Sequence, residues 1–275
     1  MERPSWAPED VDLDRPSAAR VYDYFLGGAH NFAVDRELAE VIASMTPNVG
    51  DTMRANRAFL RRAVRFLVGE GITQFLDLGS GIPTVGNVHE IARQANPTAR
   101  VVYVDIDPIA VSHSLAILAG DPQTTAIRGD VRDVDAILAD PETQRLLDLD
   151  RPLGVLLLGV LHFVPDADDP AGIVARLRDA ISPGSYVALV NATHEDQPPE
   201  VIEAQKLSAR TGTPIHLRSR AELQAQFAGL SLVEPGLVHL PLWRPDSPLD
   251  IDTRPERFGA LAGVAWKPPV QGPPA

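Results

Sequence analysis

The chain has 275 residues, a formal net charge of −12, 44% hydrophobic residues and no cysteine. This length suits one large α/β domain with an appendage, or two small domains, and the missing cysteines exclude disulfides, thiolate metal sites, iron–sulfur clusters and cysteine nucleophiles. The acidic balance opposes nucleic-acid binding, no apolar run approaches the ~20 residues of a membrane span, and the N-terminus lacks a signal-peptide pattern, so the expectation is a soluble, cytoplasmic chain that engages neither nucleic acid nor membrane.

In chain order, the first dozen residues are Pro-rich and acidic and predict no element. Ala18-Ala-Arg-Val-Tyr-Asp-Tyr-Phe-Leu26 reads as a short helix stopped by Gly27-Gly28. A second helix follows Asn31 through Val34, Leu38, Val41 and Ile42 and ends before Pro47. A third runs from about Asp51 to Val68. On a helical wheel Arg54, Arg57, Arg61 and Arg65 form one stripe, and Phe59, Ala63, Phe66 and Leu67 lie opposite. The stripe reads as a solvated face that balances nearby acids.

After Gly69-Glu-Gly71 short apolar runs alternate with helical stretches, the signature of parallel βαβ units. Strands are predicted at Ile72–Leu78, Val101–Asp105, Thr125–Arg128, Leu153–Val160 and Ser185–Val190, with helices beginning near Val85, Pro108, Val134 and Pro170. Helical stretches at 200–210 and Ser219–Phe227 follow. Leu232–Leu240 and Arg257–Trp266 read as two closing strands around a Pro-rich loop, and the tail from Pro268 predicts no element. The three leading helices set residues 1–69 apart as a cap or lid on an α/β domain at 70–275.

The first strand ends in Asp77-Leu-Gly79-Ser80-Gly81-Ile-Pro-Thr84. Gly79 and Gly81 allow a sharp turn and a close approach to a ligand at the mouth of the next helix. A dinucleotide fingerprint wants a third glycine where Thr84 stands, and Asp77 would repel a pyrophosphate. A carboxylate there suits a cation instead. S-adenosyl-L-methionine, with a sulfonium, an ammonium and no phosphate, fits the loop better than NAD. Asp105-Ile106, at the end of the second strand, can serve ribose hydroxyls of either cofactor. Asp130-Val131, after the third, can accept the adenine amino proton. Each acid also has a plainer reading as a helix cap or turn residue.

The succession Asp-x-Gly-x-Gly, Val-Asp-x-Asp-Pro, Gly-Asp-Val and Leu-His-Phe-Val-Pro-Asp resembles class I methyltransferases. More narrowly, four segments are similar to a bacterial family once filed as a domain of unknown function and now called S-adenosyl methyltransferase: Arg20–Phe32, Asn56–Val64, Phe75–Asn87 and Leu240–Pro245. The resemblance implies a Rossmann-like α/β sheet of seven strands in the order 3-2-1-4-5-7-6, the seventh antiparallel, with S-adenosyl-L-methionine as cofactor. It names no acceptor.

Class I enzymes place the methyl acceptor beyond the fourth strand, here Leu158-Gly159-Val-Leu-His162-Phe-Val-Pro-Asp166. The (Asp/Asn/Ser)-Pro-Pro-aromatic motif of base amino-methylases is absent, and without cysteine the C5-pyrimidine route is closed, so the expected acceptor is a small molecule. His162 is a candidate proton acceptor, or it packs against the adenine edge; no base is strictly needed for methyl transfer. Tyr22, as a candidate catalytic group, and Tyr24, Phe25, Asn31 and Phe32, as candidate acceptor-site residues, give the first helices the character of a lid. The other histidines show no metal-ligand spacing. Two rival readings stay open: an NAD(P)-dependent oxidoreductase and a non-enzymatic S-adenosylmethionine-binding regulator.

Overall fold

The computed structural model describes residues 13–46, 48–82, 86–199, 214–247 and 251–269. The expectations for the first dozen residues, Thr84, a helix at 200–210 and most of the tail lie outside them. Three helices lead the chain: α1 (Ala18–Phe25), α2 (Ala33–Met45) and α3 (Val49–Gly69). Strands β1 (Gln74–Leu78), β2 (Arg100–Asp105), β3 (Thr124–Arg128), β4 (Gly154–Leu158) and β5 (Tyr186–Ala192) then alternate with α4 (Val88–Ala95), α5 (Pro108–Ile117), α6 (Val134–Ala139), α7 (Pro141–Leu146) and α8 (Pro170–Ala180). Helix α9 (Arg220–Ala225) precedes β6 (Ser231–Leu232), β7 (Val238–His239) and β8 (Ala260–Trp266).

The sheet order is β3-β2-β1-β4-β5-β8-β6, with β7 also paired to β8. The first five strands are parallel, and β8 runs antiparallel to β5. This is the order implied by the resemblance, with one correction. The expected strand Leu232–Leu240 is two short strands, because a turn over Val233–Gly236 interrupts it. The Gly236 N–H closes this turn on Val233 O (2.8 Å), and Gly236 takes φ 85°. Pro235 supplies no N–H for a ladder there. A second difference is α7, which Asp140 caps through Glu142 N (2.8 Å) with Pro141 in the first turn.

Both faces of the sheet are covered, which is why the central strands are apolar almost throughout. Leu76, Leu78, Val155 and Leu157 pack with α6, α7, α8 and α9. Phe75, Val101, Tyr103 and Leu156 pack on the other face with α3 and α4. Helix α3 contributes Phe59, Leu60, Ala63, Val64 and Leu67 to that core. Trp243, fully buried, stands edge-on to Phe59 and Phe66 with centroids at 5.2 and 5.8 Å. Arg62 fixes this corner, donating to Trp243 O (2.8 Å) and Leu240 O (3.2 Å).

Helices α1 and α2 pack against the loop after β1 and against α5 through Ala19 and Val34. Phe32 joins Ile82, Ile109 and Ala110 in a separate apolar cluster, which ties the start of α2 to the glycine loop and α5. Arg20 and Asp35 form a buried ion pair at 2.9 Å, and Arg20 lies 3.6 Å from Asp107. Asp35 also accepts from Ser17 N (3.0 Å) and Phe32 N (2.8 Å), so its buried charge is well compensated.

Candidate functional site

The strand order reverses between β1 and β4, and in open α/β sheets the crevice outside the carboxyl ends at such a point is where ligands bind. Gly79 follows β1 and Val160 follows β4. A Cβ on Gly79 would lie 2.5 Å from a Val160 methyl, and φ at Gly79 is 69°, so only glycine suits this place. Gly81 also takes a positive φ (66°) but faces open space.

Asp77 and Asp105 come together in this crevice. Asp77 alternates with Leu76 and Leu78 and so projects to the face shared with Phe75, Tyr103 and α3. Burial raises its pKa to about 7; the Arg57 guanidinium opposes the rise and the Asp105 charge adds to it. Asp105 is raised to about 6, again by burial, against the pull of its backbone hydrogen bonds. Its two oxygens accept from Gly81 N (2.7 Å) and Asp107 N (2.8 Å), so Asp105 itself shapes the glycine loop. Beside it Ile106 is 57% exposed, an apolar surface at the strand end. Asp107 instead caps α5 through Ile109 N (2.8 Å).

Among the described residues, six backbone donors around the loop are already engaged. Gly79 N–H and Ser80 N–H both donate to Val104 O (2.8 and 3.1 Å), and Gly81 N–H to Asp105. Gly86 and Asn87 donate to Glu90 (3.0 and 2.7 Å), and His89 N–H to the Tyr103 hydroxyl (3.0 Å). Among the described residues this loop therefore offers carboxylates rather than the cradle of N–H groups that a pyrophosphate requires.

Asp130 lies after β3 with Val131 beneath it, but its carboxylate is forked by Arg132, which also reaches Asp168 (3.0 Å). The Arg132 bonds hold Asp130 below the usual carboxylate range. An adenine amino group would have to share this acceptor with Arg132.

Beyond β4, Gly159 takes φ 91° and faces two side chains: a Cβ there would meet His162 Cε1 at 3.5 Å and Asn56 Nδ2 at 3.7 Å. Asn56 donates to Leu158 O and to the Tyr22 hydroxyl, both at 3.2 Å, and Tyr22 donates to Met53 O (3.2 Å). Burial raises the Tyr22 pKa, so the phenol stays protonated. The His162 pKa is pushed down to about 3 by burial, with Arg218 and His216 adding to the effect. The ring is therefore neutral at physiological pH and a poor ground-state base. Asn56 Oδ1 and His162 Nδ1, both buried, have no hydrogen-bond partner among the described residues.

The described contacts of the four acceptor-site candidates lie within the leading helices or, for Phe32, against the glycine loop and α5. Asn31 donates to Asp23 (2.9 Å) and Gly28 O (3.0 Å) and accepts from Arg36 (3.0 Å). Phe32 anchors α2 against Ile82 and Ile109, and the Tyr24 and Phe25 rings lie 6.1 Å apart, tilted by 56°. In the arginine stripe, Arg54 pairs with Asp51 (2.6 Å), and Arg61 and Arg65 lie 3.6 and 3.8 Å from Asp246 in solvent. Arg54, Arg57 and Arg61 all line an open cleft of about 650 Å³ under the Leu26–His30 turn, and Arg57 lies 3.5 Å from Asn87.

Asn56, Arg57 and Arg218 escape sequence reasoning as site residues. Asn56 shares the wheel stripe of Phe59 and Ala63, and a polar residue on a buried stripe is a signal that could have found it. Arg218 has none: it is buried and holds the turn after β4, donating to Leu161 O (2.9 Å), Val164 O (2.6 Å) and Asp166 (2.8 Å).

This geometry meets its counterparts in known proteins. A family model described as S-adenosyl methyltransferase matches residues 4–268. A candidate methyltransferase from Thermobifida fusca YX is 40% identical, with a TM-score of 0.90 over 97% of this chain and 100% of that one. A DUF574 family protein from Streptomyces avermitilis MA-4680 is also 40% identical, with a TM-score of 0.89 over 94% and 100%. Human N-acetylserotonin methyltransferase, solved in complex with SAM, shares the fold at 15% identity and a TM-score of 0.50, over 93% of this chain and 64% of that one. Among curated proteins none matches. By sequence and by fold, the chain belongs to the S-adenosyl methyltransferase family.

Proposed function

We propose that the protein transfers a methyl group from S-adenosyl-L-methionine to a small-molecule acceptor held beyond β4. One observation carries the cofactor side: two buried carboxylates, Asp77 and Asp105, meet at the switch point while the N–H groups of Gly79, Ser80 and Gly81 are engaged elsewhere. Such a site favours a cation with hydroxyl donors over a pyrophosphate. Asp77 would hold the ammonium, Asp105 the ribose hydroxyls, and Ile106, Val131 and Asp130 the adenine. Gly79, Ser80, Gly81 and Gly159 would let the backbone come close to the ligand. When bound, the cofactor supplies an electrophilic methyl on sulfur.

On the acceptor side, Asn56 Oδ1 and His162 Nδ1 are two buried hydrogen-bonding atoms on the side chains that face Gly159. Their role in this reading is to orient the acceptor atom and exclude water, with α1 and α2 closing the site. The neutral His162 acts as a hydrogen-bond partner and not as the proton sink.

S-adenosylmethionine and S-adenosylhomocysteine are expected to raise the melting temperature, and NAD and NADP to leave it unchanged. Mass action sets the scale, about 2.7 kcal/mol at a hundredfold excess over Kd. Stabilisation by NAD alone would overturn the proposal.

A pH dependence follows from Asp77. Its folded-state pKa is about 7, above the ordinary 3.8, and an ammonium binds only the ionised form. Affinity for S-adenosylhomocysteine should thus rise up to roughly tenfold per unit as pH climbs toward 7, then level off. In the free protein the sign is opposite for stability: the folded state holds this proton more tightly than the unfolded chain, so the Asp77 contribution falls across the same window. Calorimetric titrations from pH 5.5 to 8.5 check the binding slope, and Asp77→Asn should flatten it.

A further inference from the structure

We propose that the cleft under the Leu26–His30 turn is a binding site for a small organic anion, a carboxylate or phosphate ester on an apolar body, held by Arg54, Arg57 and Arg61. The inference stands on the cleft itself and is independent of which cofactor the loop after β1 binds.

The arginines carry it first. The chain has a net charge of −12, yet three of its cations line one opening of about 650 Å³. Their spacing on α3, three and then four residues, sets them on one helix face on successive turns. Asp51 pairs with Arg54 and Asp246 with Arg61, and neither acid is among the described residues that line the cleft. Both pairs stand in solvent, where they are screened and worth little, so an arriving anion displaces them cheaply.

The two acids that do line the cleft are committed elsewhere. Glu90 folds back on the start of α4 and accepts from Gly86 N (3.0 Å) and Asn87 N (2.7 Å). Asp23 is buried, and its Oδ2 accepts from His30 N and Asn31 Nδ2, both at 2.9 Å. Its Oδ1 lies 4.0 Å from His30 Nδ1 and has no hydrogen-bond partner among the described residues, which leaves it to a donor on the ligand. A Cβ on Gly28 would stand 1.9 Å from that oxygen, and Gly27 takes φ 78°. The Gly27-Gly28 pair is thus what lets the turn close down on Asp23 and form the wall of the cleft.

The rest of the lining sets the size and character of the ligand. Leu26, Ala29, Ala58 and Ile117 are apolar, and Ile117 is 51% exposed, a large side chain that the fold leaves uncovered. A few converging polar groups on an apolar wall, in a volume of roughly 300–1,000 Å³, is the make-up of a small-molecule site. A polyanion such as nucleic acid would meet the repulsion of the whole acidic chain, which a small anion largely escapes. A guanidinium forks a carboxylate and a phosphate alike.

The test uses four probes of one shape, by calorimetry on the full chain: benzoate, phenyl phosphate, benzyl alcohol and benzylammonium. At least one of the two anions should bind with a Kd of about a millimolar or tighter, and the alcohol and the cation at least roughly tenfold more weakly. The tighter of the two anions identifies carboxylate or phosphate as the group the site takes. Replacing both Arg57→Gln and Arg61→Gln should weaken the anions by about tenfold or more. Arg65→Gln, on the same stripe but not among the residues lining the cleft, should change them by less than about twofold. Saturating S-adenosylhomocysteine should shift anion affinity by less than about threefold, and outright competition would place the anion in the cofactor crevice and overturn the proposal. So would equal binding of benzyl alcohol, no binding of either anion, or an equal loss in Arg65→Gln. Should the double variant not unfold cooperatively, Arg61→Gln alone and the four-probe comparison on wild type decide the matter.

Discussion

Asp105→Ala is expected to weaken S-adenosylhomocysteine binding by roughly a hundredfold or more, because hydrogen bonds to a charged group are worth about 1.5–3 kcal/mol each and two ribose hydroxyls would lose theirs. The change also frees Gly81 N and Asp107 N, so the loop loses the carboxylate that shapes it. Asp105→Asn should do nearly as badly: one of its two polar atoms is an NH2 group, which must face a backbone N–H. Asp107→Ala makes the contrast. That carboxylate caps α5 and lies 3.6 Å from Arg20, so its loss should cost about 0.5–2 kcal/mol of stability, with affinity changed only a fewfold. Calorimetry and thermal unfolding on both variants separate the two acids. Equal losses of affinity would show that the ribose is not held at the end of β2.

Much of this site is legible in the amino-acid sequence alone, for a physical reason. Strand ends buried on both faces must be apolar, so an acid at such an end stands out against its neighbours, as Asp77 does after Phe75-Leu76 and Asp105 after Val101–Val104. Glycines with positive φ are equally visible where they follow a strand. What stays hidden depends on long-range partners. Arg218 is defined by carbonyls more than fifty residues away, and nothing in its local sequence announces them. The Arg132 fork on Asp130, which takes both carboxylate oxygens, is likewise a contact that spacing alone does not reveal, and it leaves the adenine reading of Asp130 open. The split of β6 from β7 is a different kind of miss. Pro235-Gly236 is an ordinary turn signal, masked because the surrounding residues alternate well enough to resemble one strand.

The second large effect is expected at Asn56. Its amide ties three elements together: the Tyr22 hydroxyl on α1, the Leu158 carbonyl at the end of β4, and α3, on which it sits. Its Oδ1 is buried and without a partner among the described residues, on a side chain that faces Gly159, where the acceptor would lie in the proposed reading. Asn56→Ala removes the tie and the orienting oxygen together. Displacements near 1 Å cost on the order of a hundredfold in rate when alignment supplies most of the catalysis. Methyl transfer is therefore expected to fall by about a hundredfold or more, with S-adenosylhomocysteine affinity changed by less than about fivefold, since no cofactor contact is removed. Tyr22→Phe deletes one hydroxyl and keeps the ring and the Asn56–Leu158 bond, so a loss of about tenfold or less is expected. The measurement is S-adenosylhomocysteine formation from S-adenosylmethionine, with a bacterial small-molecule extract as the acceptor pool, wild type and variants side by side. If Asn56→Ala forms product as fast as wild type, the acceptor does not sit at Gly159, and the cleft under the Leu26–His30 turn becomes the place to look for it.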